Sequence, residues 1–288
     1  MVRFSGVYVA IVTPFTQTFD VDYEGLRGHA AWLIESGVGG IVATGSCGEY
    51  ASLSDDERER VIRTLADVCG DRVPLVVGVA APASRAVAHW AGLAREVGAA
   101  GLMALPPVLY KPTWAEVKAH YALLDSFGVP IIVYNNPHDT AVDVNPERLG
   151  ELSRELPNVV AVKEFSGDVR RVSAIREQCD IEIVAGTDDL LLESILAGAT
   201  GWIAGMANIV PDQSVRLLSL AMGGQMEEAW ALYRRMLPLL RYDSTPRLVQ
   251  SIKYGLEQVG RPVGPTRPPR LGLEASDAAV VRQVLADL

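Results

Sequence analysis

Lysine is scarce in this chain: of 26 basic residues, 22 are arginine, and only Lys111, Lys118, Lys163 and Lys253 carry a primary amine. Chemistry that needs an amine nucleophile has few places to reside. Lys163 closes the apolar run VVAVKEFSGD. A strand-end lysine can simply snorkel to the rim or pair with its neighbour Glu164. At the mouth of an apolar strand, however, the amine loses solvation, which is expected to lower its pKa from about 10.4 and free the neutral nucleophile. Tyr134 ends a second run, VPIIVYNNP, before an Asn-Asn-Pro turn. Such a tyrosine is often only a half-buried packing residue, but beside an amine its phenol could carry protons. A third run leads into ATGSCGEY, where Gly45 and Gly48 would let the backbone N–H groups of Ser46 and Cys47 form a small anion nest.

Other chemistries fit these residues poorly. A nucleophile elbow needs glycine two residues before the serine, and Thr44 stands there. GVGG precedes its strand rather than following it and lacks the spacing of a dinucleotide fingerprint. No histidine is expected beside Cys47, which reads better as a packing or relay residue than as a nucleophile. Cys47, Cys69 and Cys179 form neither a disulfide framework nor a CxxC pair. His29, His89, His120 and His138 contain no HxH, HxxxH or HExxH spacing, so no metal site is expected.

Positioning these residues requires a scaffold that brings strand ends together. Short Val/Ile/Ala runs alternate with amphipathic segments eight times, the pattern of parallel strands joined by crossover helices. Strands are expected at 8–12, 40–43, 75–79, 101–105, 131–134, 159–163, 182–184 and 201–203. Helices are expected at 24–36, 55–69, 84–96, 114–127, 146–154, 168–178, 188–196 and 211–221. Eight such units suit an α/β (β/α)8 TIM barrel over residues 1–222 better than a doubly wound sheet, which would more often use fewer strands and a glycine-rich first turn. Helical patterns at 225–240, 246–258 and 276–287 predict a C-terminal helical extension over 223–288, packed on the barrel. In a barrel the chemistry sits at the C-terminal ends of the strands, and the fifth and sixth lie side by side at about 4.8 Å, which would set Tyr134 next to Lys163.

Composition narrows the field. The 288 residues are 49% hydrophobic and 21% charged, enough for a large core. Net charge is -9 with no Lys/Arg block, which argues against a nucleic-acid partner. The uncharged stretch Val97 to Tyr110 has 14 residues and two prolines, whereas a membrane span needs about 20 apolar residues. The opening MVRFSGVYVAIVTPF reads as a first strand rather than a signal peptide, and a cytoplasmic location is expected.

The opening GVYVAIVTPF, the loop Gly45-Ser46-Cys47-Gly48-Glu49, the turn Tyr134-Asn135-Asn136-Pro137 and the segment Lys163 to Asp168 together resemble the dihydrodipicolinate synthase / N-acetylneuraminate lyase family over nearly the whole chain. The resemblance implies a class I lyase on a (β/α)8 barrel, without a cofactor. It implies Lys163 as the imine-forming lysine, Tyr134 as proton shuttle, and Ser46 with Cys47 as the loop that binds the substrate carboxylate and relays protons. Gly48, Asp139, Ile203 and Tyr110 complete the expected substrate-binding set. Two departures stand out. The synthase branch carries an arginine two residues past the proline of the tyrosine turn, where this chain has Asp139. Cys47 replaces a threonine and is a poorer hydrogen-bond relay. The tyrosine that family members receive from a neighbouring subunit would fall to Tyr110 or be absent, and a homotetramer, a dimer of dimers, is expected.

The acid at position 139 makes lysine biosynthesis the poorer choice, and the YNNP turn and the tail SIKYGLEQVGRPVGPTRPPRLGL resemble the catabolic branches of the family. That resemblance implies a small 2-oxo acid or cyclic imino acid as substrate, with a preference for the hydroxypyrroline carboxylate that a deaminase would convert. True dihydrodipicolinate synthase, a 2-keto-3-deoxy sugar acid aldolase or dehydratase, and a metabolite-binding barrel without turnover are the alternatives.

Overall fold

The computed structural model describes residues 4–288. Eight parallel strands close in sequence order into a barrel: β1 Gly6–Ala10, β2 Gly40–Ala43, β3 Leu75–Gly78, β4 Gly101–Ala104, β5 Ile131–Asn135, β6 Val159–Glu164, β7 Glu182–Ala185 and β8 Gly201–Ala204. The crossover helices are α1 Tyr23–Glu35, α2 Asp55–Cys69, α3 Ser84–Glu96, α4 Trp114–Asp125, α5 Pro137–Thr140, α6 Pro146–Glu155, α7 Arg170–Gln178, α8 Leu191–Leu196 and α9 Pro211–Met222. The expected fold class is the observed one.

Local chemistry accounts for the boundaries. Ser54 and Glu57 form a reciprocal capping box that starts α2, and Asn145 accepts from the Arg148 N–H at 2.9 Å with Pro146 in the first turn of α6. Glycines open several strands because large rings plug the barrel floor. A Cβ at Gly40 would collide with the Tyr8 ring, and one at Gly101 would lie 2.8 Å from Phe4 Cζ. Differences from expectation lie at element ends. The first strand runs two residues earlier, and the segment expected as one helix at 188–196 splits into a 3-10 turn, Asp188–Leu190, followed by α8. The short α5 was not foreseen: Pro137 fixes its first turn and the Asn136 side chain caps it, accepting from the Asp139 N–H at 3.2 Å.

Beyond α9 the chain adds α10 Met226–Leu240, a 3-10 turn Arg241–Ser244, α11 Leu248–Gln258 and α12 Ala275–Asp287. These helices pack on one another, on α9 and on the barrel rim. α11 is bound to the β2 loop by a buried ion pair. Lys253 Nζ lies 2.8 Å from Glu49 Oε1, donates to the Pro265 carbonyl at 2.8 Å, and sits 4.2 Å from the Phe15 ring centroid. Glu49 Oε2 accepts from the Arg267 N–H at 3.1 Å and from Arg270 at 3.4 Å. Both members of the pair are buried. Burial pushes the Lys253 ammonium down to about 8, against the pull of Glu49.

Removing Lys253 leaves Glu49, in a dry interior, with only the Arg267 N–H and the longer Arg270 contact. Lys253→Met is therefore expected to destabilise the protein by about 3–5 kcal/mol. Because a neutral pair leaves no buried charge, Glu49→Gln combined with Lys253→Met should recover most of that loss. Urea unfolding of the two single variants and the double checks this, and additive losses would show that the pair is not the strut described.

Candidate active site

The ladder between β5 and β6 places Tyr134 directly opposite Lys163. Their side chains share one cavity, with Lys163 Nζ 4.4 Å from the Tyr134 ring centroid and 5.6 Å from that of Phe165. Tyr134 and Phe165 meet edge to face at 6.2 Å. The amine is thus held between two π-faces, an arrangement that favours a cation. The two asparagines of the turn divide the work. Asn135 points away from the cavity, donating to Glu164 at 3.0 Å and accepting from the Val144 N–H at 3.0 Å, which ties the strand end to the loop before α6. Asn136 points toward it: its amide donates to Asp139 at 2.7 Å and to the Tyr134 hydroxyl at 3.4 Å.

The cavity has a volume of about 560 Å³. Ser46, Cys47, Tyr134, Asp139 and Lys163 all line it, as expected from the sequence. Three expected residues do not. Gly48 is engaged in packing: its carbonyl accepts from Thr13 Oγ1 at 2.7 Å and a Cβ there would lie 3.1 Å from the Ile11 carbonyl oxygen. Ile203 is wholly buried within β8, paired with Tyr8. Tyr110 lines a neighbouring cleft of about 760 Å³ with Leu109, Arg58 and Trp90, and this cleft shares Ser46 and Asp139 with the first. The β2 loop turns sharply through Thr44, at φ 51°, whose hydroxyl is anchored to the Gly78 carbonyl at 3.0 Å. Among the described residues, the N–H groups of Ser46 and Cys47 donate to no protein acceptor outside their own residue, which leaves them available to a carboxylate.

Two carboxylates unforeseen from the sequence complete the surroundings. Asp188 sits in the 3-10 turn after β7, and Asp243 in the turn between α10 and α11. Asp243 lines the cavity, and the Asp188 N–H donates to its Oδ2 at 3.2 Å. Asp188 accepts from Trp202 Nε1 at 2.8 Å and from the N–H groups of Met206 and Gly205 at 2.9 and 3.1 Å. Burial pushes Asp188 up only to about 6, because those donors stabilise its anion; Asp243, buried and facing Asp188, is pushed well above the carboxylate range. The donor count therefore places the negative charge on Asp188 and leaves Asp243 a neutral acid.

The amine differs from the sequence-based expectation. Burial works to lower the Lys163 pKa, but the acidic groups around it outweigh this and hold the group above its usual value; since burial favours the protonated forms of Tyr134, Cys47 and Asp243, the charge that opposes burial is that of Asp188. The resting amine is a charged ammonium that must release a proton before it can attack a carbonyl. Burial raises the Tyr134 phenol and pushes the Cys47 thiol up to about 12. Histidines take structural roles: burial pushes His29 and His120 down to about 4, and they bond Asn208 at 3.0 Å and the Leu105 carbonyl at 3.0 Å. No group of three or more His, Cys, Asp or Glu able to hold a metal occurs among the described residues, and no helix among them is long and apolar enough to cross a membrane.

An amine, a phenol, unpaired backbone donors and a neutral acid around one cavity suit covalent capture of a small carbonyl compound. The comparisons with known proteins agree with this chemistry. The model of the dihydrodipicolinate synthetase family matches residues 3–288. The chain is 34% identical over 286 residues to the 4-hydroxy-tetrahydrodipicolinate synthase of Methanocaldococcus jannaschii, covering 99% of each chain. It is 34% identical over 274 residues to that of Methanospirillum hungatei, covering 92% of this chain and 93% of the relative. A crystal structure of a dihydrodipicolinate synthase superposes with a TM-score of 0.93 at 33% identity, over 99% of both chains.

The state of Cys47 is open to direct test. A thiol with a pKa near 12 is about one part in 10⁴ thiolate at pH 8, against roughly a quarter for a free cysteine. Iodoacetamide at pH 8 should leave Cys47 unlabelled in the folded protein and modify the half-buried Cys179 first. Peptide mapping that finds Cys47 alkylated at the rate of a free thiol would contradict the described environment.

Proposed function

The chain belongs to the dihydrodipicolinate synthetase family, a family of class I Schiff-base lyases, and from that premise we propose that Lys163 forms a protonated imine with the carbonyl carbon of a small 2-oxo acid or cyclic imino acid. The observation that carries the proposal is the β5–β6 register, which sets the Tyr134 phenol against the Lys163 amine in one cavity. In this reading the N–H groups of Ser46 and Cys47 receive the substrate carboxylate. Tyr134 moves protons between the amine, the carbinolamine oxygen and the carbon next to the imine. The cationic imine is the electron sink, so no cofactor enters the reading.

Two substrate readings follow from different observations. The names of the relatives support condensation of pyruvate with aspartate semialdehyde, and they stand behind that synthase reading rather than behind the deaminase preferred from the sequence. The site itself favours the eliminating branch. Asp139 lines the cavity where a second substrate carboxylate would meet it, and Arg270, the one guanidinium on the wall, is already paired with Glu49. The carboxylate of that condensation partner would face an acid instead of a free bidentate clamp. We therefore hold conversion of the hydroxypyrroline carboxylate or of a 2-keto-3-deoxy sugar acid as the reading the geometry supports, with the synthase as the second.

A homotetramer belongs to the same proposal. Leu109 is 85% exposed and Tyr110 50% exposed on the cleft beside the site, an apolar surface suited to a neighbouring copy. Static light scattering should give a multiple of the 31.0 kDa chain mass. A monomer at micromolar concentration would remove this part of the reading.

Borohydride reduction in the presence of pyruvate or a candidate 2-oxo acid should attach one substrate to Lys163. Lys163→Arg should abolish trapping while retaining the charge. Tyr134→Phe should fold normally and lower turnover by about 10²-fold. Labelling at another lysine, or none with any substrate, would overturn the imine mechanism. A parallel panel with aspartate semialdehyde plus pyruvate, N-acetylneuraminate, 2-keto-3-deoxy sugar acids and the hydroxypyrroline carboxylate separates the readings through the dihydrodipicolinate, pyruvate and ammonia formed.

A further inference from the structure

Asp243 is the one carboxylic acid that the C-terminal extension contributes to the wall of the cavity. It is buried, and its Oδ2 accepts from the Asp188 N–H, while its Oδ1 has no hydrogen-bond partner among the described residues. The carboxyl cannot withdraw in the direction of β8. A Cβ at Gly205 would lie 2.8 Å from Asp243 Oδ1 and 3.5 Å from Cys47 Sγ, so the glycine backbone abuts both groups and holds them at the cavity edge. Nothing in imine formation as described above uses this acid. A group of this kind serves a leaving oxygen, which departs from carbon far more readily as water than as hydroxide.

We infer that Asp243 is the catalytic acid for an elimination at the second carbon beyond the imine, and that the substrate is a 2-oxo acid or cyclic imino acid bearing a hydroxyl at that carbon. The inference rests on the imine reading above and extends it. With the imine carbon numbered C2, Tyr134 gives its proton to the carbinolamine oxygen, which leaves as water, and the resulting phenolate takes a C3 proton to give the enamine. The nitrogen lone pair re-forms the C2=N bond, the C2=C3 pair becomes C3=C4, and the C4–O bond breaks with its electrons on oxygen. That oxygen takes the proton of Asp243 and leaves as water. The unsaturated iminium is hydrolysed by water, which restores the Lys163 ammonium; Tyr134 is again a phenol, and the proton that Lys163 released before its attack reprotonates Asp243. The net change on the substrate is loss of one water. Asp188 remains the anion throughout, fixed by three N–H donors.

Asp243→Asn keeps shape and charge, because the acid it replaces is neutral, but has no proton to give. The variant is expected to keep borohydride trapping at Lys163 and exchange of the pyruvate methyl hydrogens with deuterium within about threefold of wild type. Its release of water from a 2-keto-3-deoxy sugar acid or the hydroxypyrroline carboxylate should fall by about 10²-fold or more. A 2-oxo acid with fluoride in place of the C4 hydroxyl needs no acid to depart, and both proteins should release fluoride at similar rates. Asp243→Glu, which retains an acid, should keep part of the elimination. Undiminished elimination in Asp243→Asn would overturn the inference, as would equal loss of trapping, exchange and fluoride release, which would show a structural role. Failure of the wild-type protein to trap any 2-oxo acid would instead overturn the imine reading, and this inference with it.

Discussion

Holding an ammonium group in the interior is the condition to which the rest of this site answers. Lys163 is only 6% exposed, and an uncompensated charge at that depth would cost several kcal/mol. The compensation comes from all around the barrel: aromatic faces from β5 and the segment after β6, an anion at the end of β7, and a dipolar loop after β2. Phe165 apart, none of these is near Lys163 by virtue of the local chain. Only the closure of eight strands in sequence order brings them within reach, so the barrel serves here as the device that assembles an environment for one cation.

The same requirement explains why some of the site is legible in the sequence and some is not. Lys163 and Tyr134 could be found because each ends an apolar run, and adjacency of the fifth and sixth strands follows from the parallel order. Ser46 and Cys47 could be found because glycines flank them. Asp188 and Asp243 offer no such signal. The first is one of two adjacent aspartates in what looks like an ordinary helix start, and the second lies in RYDST, a turn far from every strand end. Their roles depend on packing between α8, the turn after α10 and the barrel mouth, which no local pattern encodes. Missing them is also why burial alone suggested a neutral Lys163: desolvation was weighed without the acids that oppose it. Gly48 and Ile203 were misassigned for the converse reason, since both are near the site in sequence or register but face packing partners instead of the cavity.

The fold itself was more legible than the site because it rests on repetition. Eight alternations of a short apolar run and an amphipathic segment are redundant evidence, and a boundary error of two residues at β1 or α11 leaves the topology unchanged. The short α5 escaped notice because four residues carry no helical period, yet it fixes where Asp139 stands and so bears on which substrates fit.

The strut between Glu49 and Lys253 has a consequence for the order of assembly. Its partners lie in the second βα unit and in α11, so the contact spans most of the chain, and Asp243 reaches the cavity from the same late segment. During synthesis the eight strands can all be made while the β2 loop still lacks its counter-charge and the cavity its last wall. Contacts of such long sequence separation form late, after the loop-closure entropy of the intervening chain has been met. A nascent barrel would therefore carry its nucleophile for some time without a finished enclosure around it. Reactive metabolites would meet a completed trap only once α11 has docked.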